Sequence, residues 1–312
     1  MITPFGTGVL FGVPVGGVLA PNPTPWRFGV LQDAQLSIKG KNVKLRGRSQ
    51  HAVKVRRGEI DVDVKAKIAS LDPNMLNQLF LGCPQTPGIT LISDSELQTA
   101  GGAAPAARAN STVYAVGALM SSGGFIYKCA GVEAGGESAA ALPALQTVVG
   151  SESADGGVVW QCLGAVANSV SVANAATFLV DYGVNYFVGG GPLQCSGLVA
   201  PQQGQYQVSN GLYVFNAADA ASQMKISYTY SVPNRGTTVT INDQPQGSAP
   251  EFKALLYDLD NNNKYFAVEL NDCIASEFSI PTKQGAFWIS DIAFDACVDS
   301  NDILGHLYAD NY

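Results

Sequence analysis

From Ile60 to Ile68 every second residue is apolar: Ile60, Val62, Val64, Ala66 and Ile68, with Glu59, Asp61, Asp63, Lys65 and Lys67 in the alternate positions. Period two puts the apolar set on one face of a strand and the charged set on the other. A helix would scatter the same residues around its cylinder. Upstream, Leu36 and Ile38 also alternate with polar neighbours, and a turn follows near Gly40. The stretch 29–82 therefore predicts a long hairpin followed by one short helix. Asp72 is placed to cap that helix, Pro73 fits its first turn, Met75, Leu76, Leu79 and Phe80 form one apolar stripe, and Gly82 ends it.

The texture changes twice. Residues 1–26 are interrupted by Gly and Pro and end in Pro21-Asn22-Pro23-Thr24-Pro25, which predicts an extended arm docked through Val9, Leu10, Phe11 and Val13. From 101 to 165, Gly and Ala occupy 27 of 65 positions. Within that stretch Phe125-Ile126-Tyr127-Lys128-Cys129-Ala130-Gly131 is echoed by Val158-Val159-Trp160-Gln161-Cys162-Leu163-Gly164, two strand ends of the form aromatic-x-Cys-x-Gly. We read 99–165 as a small inserted β domain with a flexible N-terminal linker. Strand patterns resume at Tyr228, Tyr230 and Val232, at Thr238 to Asn242, and at Ala254–Tyr257 and Tyr265–Leu270 around an Asn-rich turn. The expected organisation is an arm (1–26), a discontinuous β domain (27–98 and 166–312) and the insertion (99–165).

Composition narrows the function classes. The chain of 312 residues is 46% hydrophobic and only 14% charged, which excludes a disordered chain and a coiled coil. No apolar run reaches the roughly 20 residues of a membrane-spanning helix. The first basic residue is Arg27, so no secretory signal is expected. A net charge of −7 argues against general nucleic-acid binding. The charge is uneven, however. Residues 39–67 carry ten bases against three acids, and residues 251–312 carry eleven acids against three bases.

Candidate chemistry is sparse. His51 and His306 are the only histidines, and the six cysteines include no CxxC. There is no GxSxG elbow, and Gly189-Gly190-Gly191-Pro192 lacks the Lys-Ser/Thr of a phosphate loop and reads as a turn. Asp258, Asp260, Asn262 and Glu269 fall where a calcium loop wants ligands. Position six is Asn263 instead of Gly, and the flanks alternate as strands, so a hairpin turn is the preferred reading and no cofactor is expected. Cys129 and Cys162 could face each other across paired strands, with free thiols the preferred state. No residue stands out as catalytic, and the chain is not expected to be an enzyme.

Several segments carry a resemblance: Phe28-Gly29-Val30-Leu31-Gln32-Asp33-Ala34, Arg57-Gly58-Glu59 before Lys65-Ala66-Lys67, and Asn77-Gln78-Leu79-Phe80-Leu81-Gly82. Others follow in Val172 to Phe178, Asp181-Tyr182-Gly183-Val184, Gly204-Gln205-Tyr206 and Ile226 to Tyr230. In this order they resemble the major tail tube proteins of long-tailed bacteriophages. The insertion, ending Asp155-Gly156-Gly157-Val158-Val159-Trp160-Gln161-Cys162, is similar to small β modules of phage tail and virion proteins. The resemblance implies a mainly β fold, a tail-tube-like sandwich or barrel with one short flanking helix. It further implies hexameric rings that stack into a tube through which DNA passes without specific binding. The implied setting is the virion tail, assembled in the host cytoplasm, and the implied partners are further copies, the tape measure, the tail terminator and the distal tail protein.

Stacking requires two complementary surfaces. The charge asymmetry suggests that Lys39, Lys41, Lys44, Arg46 and Arg48 meet an acidic C-terminal surface including Asp291, Asp295 and Asp299 on another copy. Two rival readings remain at this stage. In one, the 107–165 module binds carbohydrate or a receptor through Tyr114, Tyr127 and Trp160, although a module this small needs its aromatics inside. In the other, the chain is a calcium-dependent depolymerase relying on the Asp258–Glu269 loop.

Overall fold

The computed structural model describes residues 8–15, 24–46, 48, 50–133, 135–197, 199–259, 265–282 and 284–310. Among the described residues the chain is mainly β, with three sheets, one helix of nine residues and two single 3-10 turns at Val166–Asn168 and Ala175–Thr177. It divides into two compact units, Met1–Thr86 with Thr237–Tyr312, and Pro87–Gly236.

The first unit contains β1 (Val9–Val15), β2 (Trp26–Arg27), β3 (Leu31–Arg46), β4 (Ala52–Ile68) and the helix α1 (Pro73–Leu76, widening to π geometry over Asn77–Leu81). The chain then runs through β5 (Gln85–Thr99) into the second unit. That unit holds β6 (Leu119–Ser122), β7 (Phe125–Val132), β8 (Glu152–Asp155), β9 (Val158–Ala165), β10 (Ser169–Ser171), β11 (Phe178–Tyr186), β12 (Pro192–Cys195), β13 (Gln205–Ser209) and β14 (Leu212–Phe215). β15 (Gln223–Val239) leads back to β16 (Glu251–Leu259), β17 (Tyr265–Ser279), β18 (Ser290–Cys297) and β19 (Gly305–Ala309).

The first sheet has the order β2-β1-β16-β17-β18-β4-β3, with β19 also on β17, and curls into a half-barrel. Its inner face is the apolar set of the alternating strands: Val62, Val64, Ala66 and Ile68 are buried while Lys65 and Lys67 between them are exposed. Phe28, Phe252 and Phe294 meet at centroid distances of 5.2–6.5 Å, and Met75 and Leu79 of α1 close the open side. Each such side chain contributes about 1.5–3 kcal/mol relative to exposure. The helix has the expected ends. The Asp72 carboxylate accepts from the Asn74 N–H at 2.8 Å, Pro73 occupies the first turn, and Gly82 leaves it in a left-handed conformation. Part of the N-terminal arm is a sheet strand, since β1 pairs with β16 over seven residues. Residues 1–7 and 16–23 of that arm lie outside the described residues.

The second unit stacks aromatic residues of the sheet β10-β14-β13-β12-β11-β15-β5 into a core of Tyr206, Tyr213, Phe215, Ile226 and Tyr228. The tyrosine hydroxyls find acceptors: Tyr206 and Tyr213 donate to Asp181, Tyr228 to Glu96 at 2.6 Å and Tyr186 to Asp219 at 2.7 Å. Burial, then the bond to Asp219, pushes the Tyr186 phenol up to about 12. The third sheet, β6-β7-β9-β8, is the expected small β module, and the echoed segments are its two central strands.

The expected domain boundaries differ from the observed division. Residues 87–98 and 166–236 belong to the same compact unit as the insertion. The cause is a shared core: Ile126 and Leu163 leave the module's second face apolar, and they are buried against Ala200, Leu212 and Val214. Cys129 and Cys162 are buried free thiols on neighbouring strands, opposite Trp160 and Tyr127.

Candidate self-assembly interface

β3 and β4 are far longer than the core they cover. Their pairing runs from Leu31–Ile68 to Arg46–Ala52, yet every residue from Ala52 to Asp61 is exposed, as is every residue from Ile38 to Arg46. The outer half is thus a two-stranded ribbon that no layer covers among the described residues. Midway it carries a bulge, in which Gly58 and Glu59 oppose the single residue Lys41. A side chain at Gly58 would lie 2.9 Å from the Lys41 carbonyl oxygen, so only glycine fits. Past the bulge the cross-strand pairs are Val43–Arg56, Lys44–Val55 and Leu45–Lys54, which mixes cations with apolar residues on both faces.

The basic residues fall into two groups. Lys39 donates to Asp63 at 2.6 Å, and that bond raises its ammonium above its ordinary value. Lys41 lies 3.2 Å from Glu59 and 3.8 Å from Asp61. These two are neutralised within the ribbon. Lys44, Arg46 and Arg48 have no carboxylate partner among the described residues. Neither do Lys54, Arg56 and Arg57 on the return strand, which the sequence reading did not single out. The sequence signal was there: no acid stands between Gly40 and Gly58.

The acidic counterpart is the outer face of the same sheet. β18 pairs with β4 so that Asp291 stands beside Lys67, 3.9 Å apart, and Asp295 beside Asp63. Asp33 and Glu277 complete a shallow depression of about 270 Å³ floored by Ala293. Three carboxylates there, Asp33, Glu277 and Asp291, stand around Lys65 and Lys67. Asp299, expected on this surface, does other work. It accepts from the N–H groups of Ile303 and Asn301 at 3.0 and 2.9 Å and from the Asn271 amide at 3.0 Å, which closes the turn before β19. The two backbone bonds hold its carboxyl below the usual carboxylate value.

The remaining site expectations are corrected or fall outside the described residues. Trp160 and Tyr127 are 0% and 2% exposed, and Tyr114 packs edge-on to Trp160 at 4.9 Å with its hydroxyl accepting from the Ala109 N–H. They are the module's core and offer no platform for a sugar. The indole N–H donates inward to Asp155 at 2.9 Å. Asp155 is itself held by a two-pronged Arg108 guanidinium at 2.7 Å, with both side chains buried. Of the calcium-loop candidates, Asp260 and Asn262 lie outside the described residues. Asp258 and Glu269 stand on paired strands opposite Phe266 and Leu255, and Glu269 is bonded to Lys253 and Tyr308. Among the described residues no group of three metal-ligating side chains converges, and no helix is long and apolar enough to cross a membrane. Compared with known proteins, the chain matches no family model, and no curated protein is detectably similar to it.

Proposed function

We propose that this chain is a structural subunit that polymerises with its own copies, as stacked rings, into a phage tail tube that conducts DNA. The observation that carries the self-assembly reading is the ribbon: six cations without carboxylates lie beyond the core, and an acidic face lies at the base of the same sheet. A projecting basic tip and a separate acidic face are different, complementary surfaces, so the contact is heterologous and repeats from copy to copy. The tube and its DNA cargo rest on the sequence resemblance, and with them the virion location and the tape measure, terminator and distal tail partners. The net charge of −7 supports passage over retention, because each neutralised phosphate would add affinity. The carbohydrate-binding alternative loses its support with the burial of Tyr127 and Trp160.

The test is electron microscopy and light scattering of the wild type against the triple variant Lys44→Ala, Arg46→Ala, Arg48→Ala. Exposed pairs each contribute about 0.2–1 kcal/mol, so three lost at every repeated contact weaken association by roughly 3- to 150-fold, and high salt reproduces the effect. Tubes of unchanged yield and length from the variant would refute the charge contact. Duplex DNA retained by the wild type and released by the variant, with assembly unchanged, would assign the ribbon to nucleic acid instead.

A further inference from the structure

Within the second unit the small module rests on the tyrosine-rich sheet through an apolar layer, Ile126 and Leu163 against Ala200, Leu212 and Val214. Three polar side chains are buried in that layer with bonding capacity unused. Gln207 of β13 is 1% exposed, and neither its amide oxygen nor its amide nitrogen has a partner among the described residues. It stands opposite Val214, on the face turned to the module. Lys128 of β7 is 6% exposed. Its ammonium donates to the Gly197 carbonyl at 3.0 Å and pairs with no carboxylate among the described residues. Gln161, opposite Lys128 on β9, has a buried amide oxygen with no donor among the described residues.

The chain path brings these groups together. β12 runs parallel beside β13 with Cys195 opposite Tyr206, and the Ser196 N–H donates to the Tyr206 carbonyl at 2.8 Å. The backbone thus passes Gln207 at Ser196 and one residue later presents the Gly197 carbonyl to Lys128. An open cleft of about 270 Å³ lies next to them, lined by Pro105, Leu119, Ser171, Ser209 and Leu212. Leu119 is the cross-strand neighbour of Lys128, and Ser209 follows Gln207 by two residues on the same face. Both polar residues are therefore one step, about 5–7 Å, in from the cleft wall.

A buried cation without a counter-charge is costly, and so is each buried amide left unbonded. Burial pushes the Lys128 ammonium below its ordinary value. Glu152 follows Gln161 in the same row on β8, but it is exposed and makes no ion pair with Lys128. The free groups define what fits them. One positive charge has to be balanced, the remaining N–H groups of Lys128 and Gln207 need acceptors, and two amide oxygens need a donor. A halide balances the charge but donates nothing, and water donates but carries no charge. We therefore propose that this interlayer site binds a small oxyanion of single negative charge that keeps a hydroxyl, of the hydrogencarbonate or dihydrogen phosphate class. Its oxygens accept from Lys128 and from the Gln207 amide, and its hydroxyl donates to the amide oxygen of Gln207 or Gln161. The anion fastens the module to the sheet beneath it, and the site does not depend on self-assembly.

Calorimetric titration of the full chain with inorganic phosphate tests it, in mildly acid buffer where the dihydrogen form predominates and with chloride of equal ionic strength as the control. The wild type is expected to show one saturable site and a melting temperature that rises with the logarithm of phosphate concentration. Gln207→Leu removes one bond to the anion and is expected to weaken binding about tenfold or more. Lys128→Met is expected to abolish binding. Without phosphate this variant melts no lower than the wild type, because it removes a buried charge. A lysine that merely ties down Gly197 gives another result, with Lys128→Met melting lower by the same amount with and without phosphate. That result overturns the site, as does equal stabilisation of the wild type and both variants by phosphate. Absence of a saturable heat in the wild type also overturns it and leaves the three side chains to ordered water. Should Lys128→Met not fold, Gln207→Leu decides alone, since it keeps Lys128 and its bond to Gly197. Unchanged phosphate affinity in that variant overturns the proposal.

Discussion

Removing the charge of Asp155 tests how the small module is held together. Its carboxylate has every bond position in use: two from Arg108 at 2.7 Å, one from the Trp160 indole at 2.9 Å and one from the Ala139 N–H at 3.0 Å. The two side chains are 0% and 3% exposed, so Asp155→Asn leaves a guanidinium buried without its counter-ion. Breaking such a pair costs about 3–5 kcal/mol. Replacing both partners by apolar residues of similar volume, as in Arg108→Met with Asp155→Leu, is expected to cost far less than the sum of the single changes. The native pair also sets an acid limit. Burial would push the Asp155 carboxyl up, but the bonds from Arg108, Trp160 and Ala139 outweigh it and leave it below its ordinary 3.8. A carboxyl lowered on folding stabilises the fold above its ordinary value, and that stabilisation is lost as pH falls from about 3.8 through the lowered value. The assay is thermal and urea unfolding followed by tryptophan emission, since Trp160 is buried and touches the substituted group. A shift below about 1 kcal/mol in Asp155→Asn, or a double variant as unstable as the summed singles, would refute the reasoning.

Asn77→Ala removes both bonds to the Cys83 backbone and leaves a buried N–H and a buried carbonyl without partners. About 2 kcal/mol or more should be lost in denaturant unfolding, and an unchanged midpoint would contradict it. Thiol titration with a disulfide reagent should find Cys195 reacting first and Cys297 more slowly, its thiol raised by partial burial and by Asp272. Cys273, pushed up to about 12 by burial, should react only on unfolding. Fast reaction of more than two thiols in the native protein would count against the packing described.

The elements most legible in the sequence were those whose signal is local. The alternation from Ile60 to Ile68 and the sequence Asp72-Pro73 to Gly82 each contain their own strand face or helix ends within a few residues. The division into units was not legible, because it depends on what lies against Ile126 and Leu163. Their alternation with Tyr127 and Cys162 did hint at a strand buried on both faces. The candidate site was half legible. A run of cations free of acids is visible by eye, whereas the grouping of Asp33, Asp63, Glu277, Asp291 and Asp295 exists only through strand register across three ladders. Asp299 was misassigned for the same reason: composition counts its charge, but only the turn geometry reveals that the backbone uses it. The Arg108–Asp155 pair spans 47 residues and left no local trace.

The extra residue in β4 at Gly58 and Glu59 does more than bend a strand. Were the ribbon paired without it, Lys44 would stand opposite Arg56 and Arg46 opposite Lys54, while Leu45 would stand opposite Val55 and Val43 opposite Arg57. Like charges would then face each other on one side, and on the other Leu45 and Val55 would form an aliphatic pair open to solvent. The single insertion breaks up both by seating Arg56 across from Val43, Lys54 across from Leu45 and Lys44 across from Val55, in the way gatekeeper charges protect exposed strands. Such an interleaved edge is matched only by a strand or surface that alternates charge and apolar groups in the same order, which makes indiscriminate pairing costly.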